Sequence, residues 1–113
     1  MTASGTLAFI SGQVAIDESG QLVGPGDLAE QTRQCLRNLE NVLTQCGVGW
    51  ADVLRFTWYL VDVTEVQVVR DVRDEFVRPV LGERPNPASS LIQVAGLFKP
   101  EFLIEVEAVA ALP

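Results

Sequence analysis

The fold is decided by the segment Val53-Leu54-Arg55-Phe56-Thr57-Trp58-Tyr59-Leu60-Val61-Asp62-Val63, a strand pattern that stands between two helical patterns. Apolar side chains alternate along it with a second set that includes Arg55, Thr57 and Tyr59. A period of two, with many β-branched and aromatic residues, is typical of a β-strand. The fully apolar side consists of Leu54, Phe56, Trp58 and Leu60. We expect that side to pack under helices.

A helix is expected before this strand. Asp27 can accept a hydrogen bond at its N-terminus, and Glu30 follows three residues later, which is close to a capping box. Side chains of one stripe then recur at steps of three and four residues. The stripe consists of Leu28, Thr32, Cys35, Leu39, Val42 and Cys46, widened by Leu36 and Leu43. Gly47 is expected to end the helix as a left-handed cap.

A second helix is expected after the strand. Thr64 and Gln67 have the spacing of a capping box. The apolar face that follows consists of Val66, Val69, Val72 or Arg73, and Phe76. Pro79 is expected to stop this helix, because a proline disfavours helical geometry in the residue before it. The residues from Gly82 to Pro87 form a loop.

Further strands are predicted at both ends of the chain. Residues 6–16 and 21–23 are predicted to form a β-hairpin, and residues 88–95 and 102–110 two more strands. The order β-β-α-β-α-β-β predicts an α+β fold, with one mixed sheet and two helices on one of its faces. The other face would expose apolar residues such as Leu7, Phe9, Ile92 and Val94, so we expect self-association to cover it.

Composition limits the class of protein. A chain of 113 residues fits one domain, residues 1–113. The net charge is -7 and the 8 basic residues are scattered, so binding to nucleic acid is not expected. No apolar run reaches the roughly 20 residues that cross a membrane. The start, Met1 to Ala8, has no cationic region leading into an apolar one, and we expect a cytoplasmic protein.

The absence of histidine removes several kinds of chemistry. Ser-His-Asp and Cys-His catalysis and histidine metal ligation all need that side chain. We expect neither a metal nor a cofactor. Cys35 and Cys46 would lie about 16 Å apart along one helix, too far for a disulfide, and are interpreted as small core residues. Trp50 and Trp58 are interpreted as core or interface residues rather than a stacking platform for bases.

An ordered set of short segments resembles one known family. The set includes Ser11-Gly12-Gln13-Val14, Gln31-Thr32-Arg33-Gln34, Leu36, Asn38-Leu39, Gly47, Asp52-Val53, Pro87-Ala88 and Glu105-Val106-Glu107-Ala108. No single motif is specific, but together they cover nearly the whole chain in order. The chain resembles the RidA (YjgF/YER057c) family of enamine and imine deaminases. The resemblance implies a RidA/chorismate-mutase-like fold and a homotrimer with inward-facing sheets, whose three intersubunit clefts each hold a small 2-imino or enamine acid.

The resemblance also suggests site residues. Glu105 matches the family's glutamate that positions or activates water, and Gly12 matches a glycine whose backbone lines the cleft. Ser89 stands where the family has an arginine that binds the substrate carboxylate, and Leu91 stands where a cysteine is frequent. Ser89 and Ser90 would then shape the pocket.

Another cation could replace the missing arginine. Arg84 precedes the strand that carries Ser89, and Arg70 lies on the second helix; the alternative is that both are solvated surface charges. Glu105 and Glu107 are two residues apart on a strand, which places their backbones roughly 6.7 Å apart on one face. In a cleft, each carboxylate would raise the pKa of the other; on a solvated edge the pair would have no such role.

Two functions remain open from the sequence. The first is a RidA-like hydrolase or deaminase acting on a small reactive enamine, imine or related metabolite, with Glu105 holding water. The second is a non-catalytic trimer that binds a small metabolite or assists a neighbouring pathway. The missing arginine favours the second and the retained glutamate the first. Ribonuclease activity is disfavoured by the acidic charge and the absence of histidine.

Overall fold

A computed structural model of the chain describes residues 5–113. Its main elements are β1 (Leu7–Gln13), α1 (Leu28–Gln45), β2 (Val53–Leu60), α2 (Val66–Leu81), β3 (Ala88–Gln93) and β4 (Ile104–Ala111). Short 3-10 helices, Trp50–Asp52 and Val63–Glu65, precede β2 and α2. The predicted α+β class, a mixed sheet with two helices, is confirmed. No helix in residues 5–113 is long and apolar enough to cross a membrane.

The strands form one sheet in the order β1-β4-β2-β3. β4 is antiparallel to both β1 and β2, whereas β3 is parallel to β2. Paired residues lie on the same face of the sheet. The helices cover one face and leave the other uncovered. On the helix face, β4 contributes Ile104, Val106, Ala108 and Ala110, all buried. The opposite face, here called the open face, carries the alternate residues, among them Glu105 and Glu107.

The core lies between the helices and the helix face of the sheet. Phe56, Trp58 and Leu60 are buried there, as the alternation in β2 predicts. Leu54, predicted on the same side, is only half-buried, and Val53 is buried in its place because the pairing with β4 shifts register between Val53 and Arg55. Trp50 packs edge-on against Phe76 with ring centroids 6.0 Å apart, and its indole N–H donates to Glu40 Oε2 at 2.6 Å. Both tryptophans are therefore core residues, as predicted.

Both predicted ends of α1 are confirmed. The Asp27 side chain accepts a hydrogen bond from the Glu30 backbone N–H at 3.1 Å. At the other end Gly47 has a φ of 76°. Its N–H donates to the Thr44 carbonyl and that of Val48 to the Leu43 carbonyl, both at 3.0 Å, which is a Schellman cap.

The predicted hairpin near the N-terminus is wrong in extent. β1 ends at Gln13, and the second strand is reduced to a single bridge between Ile16 and Leu22. The Asp17 carboxylate accepts hydrogen bonds from the backbone N–H groups of Ser19 and Gln21, at 2.9 and 3.0 Å. This local bonding folds the segment into a tight turn in place of an extended ladder.

The predicted start of α2 is also wrong. The Thr64 hydroxyl donates to Asp62 Oδ1 at 2.6 Å, and the same oxygen accepts from the Thr64 backbone N–H at 3.0 Å. Asp62 therefore caps the short 3-10 helix, and the N-cap of α2, Glu65, makes no capping side-chain bond. An aspartate earlier in the segment competes successfully for the donors.

Pro79 does not stop α2, which continues to Leu81. A proline lacks only its own N–H, and the last turn retains other support. Val77 and Leu81 are buried on either side of it, and the Gly82 N–H donates to the Arg78 carbonyl at 2.8 Å. The helix ends at Gly82, whose φ of 61° favours glycine.

Candidate active site

Glu105 lies against the backbone of Gly12 on the open face. The pairing of β1 with β4 shifts register between Ile10 and Gln13, and this irregularity contains Gly12. A Cβ atom built on Gly12 would lie 2.3 Å from Glu105 Oε2 and 2.5 Å from its Cδ. Only a glycine leaves room for the carboxylate in this position, so the structure brings these two predicted site residues together.

The surroundings of Glu105 favour its protonated form. Burial raises the pKa of its carboxyl above the ordinary 4.5, and the negative charge of Glu107 raises it further. The effect of Glu107 was expected from the spacing, but desolvation is the larger cause. Within residues 5–113, the Glu105 carboxylate accepts no hydrogen bond. A carboxyl that holds its proton to higher pH and accepts no other hydrogen bond in this part of the chain is suited to proton transfer.

Glu107 is engaged differently from Glu105. The Tyr59 hydroxyl donates to Glu107 Oε1 at 2.8 Å, and this bond is the main reason why the pKa of Tyr59 is raised. Glu107 therefore holds a neighbouring phenol, while Glu105 retains its acceptor capacity. The two carboxylates lie on the same face of the sheet but differ in their hydrogen bonds.

A depression of about 580 Å³ lies on the open face beside this pair. Its lining includes Arg55, Tyr59 and Glu107 and the exposed apolar side chains Phe9 and Ile92. The exposed fractions of those two side chains are 79% and 43%, so an apolar part of the sheet is uncovered in the single chain.

Ser89 lies on the helix face, whereas Glu105 lies on the open face. β2 separates their strands: Ser89 pairs with Phe56, and Glu105 pairs with Tyr59, three residues further along. Two strand spacings and three residues place their Cα atoms about 14 Å apart. One chain therefore does not bring Ser89 and Glu105 into one pocket.

Ser89 instead faces a small groove between α2 and β3, of about 190 Å³. The residues that line this α2–β3 groove are Trp58, Val66, Val69, Arg70, Arg73, Ser89, Ser90 and Leu91. Ser90 also reaches the open face, where its hydroxyl accepts a hydrogen bond from Arg55 Nη2 at 2.8 Å. The structure thus brings Arg70 together with Ser89 and Ser90.

Arg84 is directed elsewhere. Its Nε donates to the Leu81 carbonyl at 3.2 Å and its Nη2 to the Val80 carbonyl at 3.0 Å. These bonds satisfy the carbonyls at the C-terminal end of α2, where a cation is favourable. Arg84 borders a separate depression that also includes Pro87 and Ala88.

The two thiols are free. Cys35 is buried, and burial, followed by the charge of Glu105, raises its pKa to about 12. Such a thiol stays protonated at neutral pH and is a poor nucleophile. Its interpretation as a core residue is confirmed.

The sequence of residues 1–112 matches the model of the family described as Endoribonuclease L-PSP. The chain belongs to this family. Several proteins to which the chain is similar are named as deaminases. The rat 2-iminobutanoate/2-iminopropanoate deaminase is 36% identical over 90% of this chain and 70% of its own length. The 3-aminoacrylate deaminase RutC of Acinetobacter baylyi is 31% identical over 96% of this chain and 82% of its own length.

A solved structure agrees with the sequence match. A Yersinia pestis protein of the conserved Rid protein family has a TM-score of 0.85 and 36% identity, covering 99% of this chain and 83% of that one. The resemblance to RidA inferred from short motifs is thereby confirmed, and at the family level the chain groups with deaminases.

The sequence analysis did not predict that Arg55 and Tyr59 lie near the candidate site on the open face. A signal for both was present, because they alternate with the buried residues of β2 and must therefore face away from the helices. What the pattern did not give was the neighbouring strand, and hence that Tyr59 contacts Glu107.

Proposed function

We propose that this protein is a RidA-like deaminase that hydrolyses a small reactive imine or enamine in a cleft between neighbouring subunits. The observation that carries the proposal is the Glu105 carboxyl, packed on the Gly12 backbone with a raised pKa and no acceptor role within residues 5–113. The names of the two deaminase relatives support this substrate class.

Glu105 acts on water in the proposed mechanism. The substrate reacts as its protonated imine, and the Glu105 carboxylate accepts a proton from water as the water oxygen bonds to the imine carbon. Glu105 then gives this proton to the amino nitrogen of the tetrahedral intermediate. As the C–N bond breaks, the Glu105 carboxylate accepts the hydroxyl proton and passes it to the departing ammonia, so that ammonium and a carbonyl product leave. An enamine is first protonated at carbon, which gives the same protonated imine.

The proposed assembly is a homotrimer in which open faces meet. An uncovered sheet face with Phe9 and Ile92 at its surface favours burial by further copies of the chain. Ser89 and Glu105 lie on opposite faces of one sheet, so a cleft that uses both needs residues from two chains. The trimer thus accounts for the apolar face and for the separation of the site residues.

A non-catalytic binding protein is the second candidate. Ser89 favours it, because a hydroxyl offers one neutral hydrogen bond where a guanidinium offers two charge-assisted ones. In that case the cleft would bind a metabolite without turning it over.

One assay distinguishes the two functions. 2-Iminobutanoate is generated in situ, and ammonia release is compared for the unmodified protein, Glu105→Gln and Glu18→Gln. We expect Glu105→Gln to lose on the order of 10²-fold or more of the acceleration, as a lost general base does. Glu18 is an exposed acid in the turn after β1, so its variant controls for the change in charge. If the unmodified protein gives no acceleration, the deaminase proposal is wrong and the binding function is favoured.

A further inference from the structure

The α2–β3 groove is cationic in a chain whose net charge is -7. Among the residues that the structure describes, two arginines, Arg70 and Arg73, line it, and no carboxylate does. Arg73 is already engaged, because its Nε and Nη2 both donate to Asp74 Oδ1, at 3.1 and 3.0 Å. Arg70 is exposed and has neither a hydrogen bond nor an ion pair within the described part of the chain. One guanidinium at this groove is therefore available to a ligand.

The strand side of the groove offers further donors. β3 pairs only with β2 in the described sheet, so its outer edge is open. The Val94 N–H donates to the Leu60 carbonyl at 2.9 Å, towards β2. Backbone groups of alternate residues point in opposite directions along a strand. The N–H groups of Ser89 and Leu91 therefore point outward, beside the Ser89 hydroxyl.

We infer that Arg70 binds the substrate carboxylate in the α2–β3 groove, replacing the arginine that position 89 lacks. A guanidinium holds a carboxylate through two parallel N–H donors, and the outward N–H groups can complete its coordination. The Ser89 hydroxyl donates to the Pro87 carbonyl at 3.3 Å, so it is not counted among the donors to the ligand. Val66, Val69 and Leu91 supply an apolar wall for a short alkyl chain. The inference rests on the proposed function for the identity of the ligand, a small 2-imino acid whose hydrolysis gives a 2-oxo acid.

Binding of a stable product tests the inference without catalysis. The affinity for 2-oxobutanoate is measured by calorimetric titration for the unmodified protein, Arg70→Ala, Arg70→Lys and Arg37→Ala. We expect Arg70→Ala to weaken binding by roughly tenfold to a hundredfold, as the loss of charge-assisted hydrogen bonds does. Arg70→Lys should retain part of the affinity. Arg37, an exposed arginine of α1, controls for the lost positive charge. Equal affinity in Arg70→Ala, or no binding by the unmodified protein, overturns the inference.

A rescue experiment tests where the carboxylate binds. Ser89→Arg is added to Arg70→Ala, and we expect the double variant to recover 2-oxobutanoate binding, because the new guanidinium starts from the same groove. Butanone, which lacks the carboxylate, should bind equally to all variants. If Ser89→Arg does not rescue Arg70→Ala, the carboxylate does not bind in this groove.

The inference and the proposed function can fail separately. Glu105→Gln should lose most of the acceleration of ammonia release but still bind 2-oxobutanoate. Arg70-dependent binding without accelerated ammonia release in any variant would support carboxylate binding by Arg70 and contradict the deaminase proposal. If Arg70→Ala leaves the turnover of 2-iminobutanoate unchanged, the deaminase proposal stands and carboxylate binding by Arg70 is contradicted.

Discussion

The glycine at position 12 is required by its neighbour rather than by its backbone conformation. Its φ is not in the left-handed region, but a Cβ there would lie 2.3 Å from Glu105 Oε2. A single methyl group would therefore compete with the carboxylate for the same space. The residue thus sets the position of the Glu105 carboxylate.

Gly12→Ala is expected to displace Glu105 and to lower ammonia release from 2-iminobutanoate by roughly tenfold or more, since misplacing a proton-transfer group removes its contribution. Glu105 is a flexible side chain, so the fold should survive, and the far-ultraviolet circular dichroism spectrum should be unchanged. Gly49→Ala is the matched control, because no atom of residues 5–113 outside its immediate neighbours lies within 4 Å of a Cβ there and its φ of -145° suits alanine. Full activity in Gly12→Ala would contradict the proposed role of Glu105.

Part of the candidate site could be predicted from the sequence. Glu105 and Gly12 were inferred from separate motifs, and the structure places them in contact. The location of Ser89 on the other face of the sheet was not predicted, because it depends on the register of β3 against β2. The proposal of Arg70 rather than Arg84 also needed the structure, since both arginines precede β3 in sequence and only the structure shows that Arg70 lines the groove of Ser89.

At the scale of elements, Arg78 organises the loop that leads into β3. Its Nη1 donates to the carbonyls of Gly82 and Arg84 at 2.7 and 2.9 Å, and its Nη2 donates to Asn86 Oδ1 at 2.5 Å. The loop therefore reaches Ser89 along a path fixed by one side chain of α2. This arrangement links the helix of Arg70 to the strand of Ser89.

Arg78→Ala is expected to loosen this loop and to reduce the free energy of unfolding by about 1–3 kcal/mol, the range for hydrogen bonds to a charged group. Urea denaturation measures the change in stability, and hydrogen exchange should show faster exchange in residues 82–87. Arg37→Ala removes an arginine from α1 and should leave both measurements close to those of the unmodified protein. Unchanged exchange in the loop would show that other contacts hold it.

The elements that were predicted correctly depend on local chemistry. Asp27 and Gly47 bound α1 through hydrogen bonds within a few residues, which a sequence displays directly. The errors at Thr64 and Pro79 came from competition. Asp62 takes the donors of Thr64, and burial of Val77 and Leu81 maintains a turn that a proline alone would end.

At the scale of the whole molecule, two features favour the proposed trimer: the uncovered open face, and the location of the candidate site residues on both faces of the sheet. Glu105 and the α2–β3 groove lie on opposite sides of one sheet. In the proposed trimer, a carboxylate held by Arg70 of one chain would place its reacting carbon beside Glu105 of another. The mass by light scattering should be three times the chain mass of 12.3 kDa.

Hybrid trimers test this division. Arg70→Ala and Glu105→Gln chains, each expected to have little activity alone, are mixed in equal amounts, unfolded and refolded together. We expect roughly a quarter of the unmodified activity, because each site needs one intact residue from each of two randomly drawn chains. Trimers of the correct mass without recovered activity would place both residues in a site of one chain. A monomer mass for the unmodified protein would contradict the trimer itself.

The sequence by itself determined the α+β class, the apolar side of β2, the caps of α1 and the family. These follow from periodicity, from hydrogen bonds between near neighbours and from an ordered set of motifs. Only the tertiary structure decided that Gly12 contacts Glu105, that Tyr59 binds Glu107, and that Ser89 faces Arg70 across a groove. Strand order and register join residues far apart in sequence, and a shift of one residue would move each of these side chains to the other face.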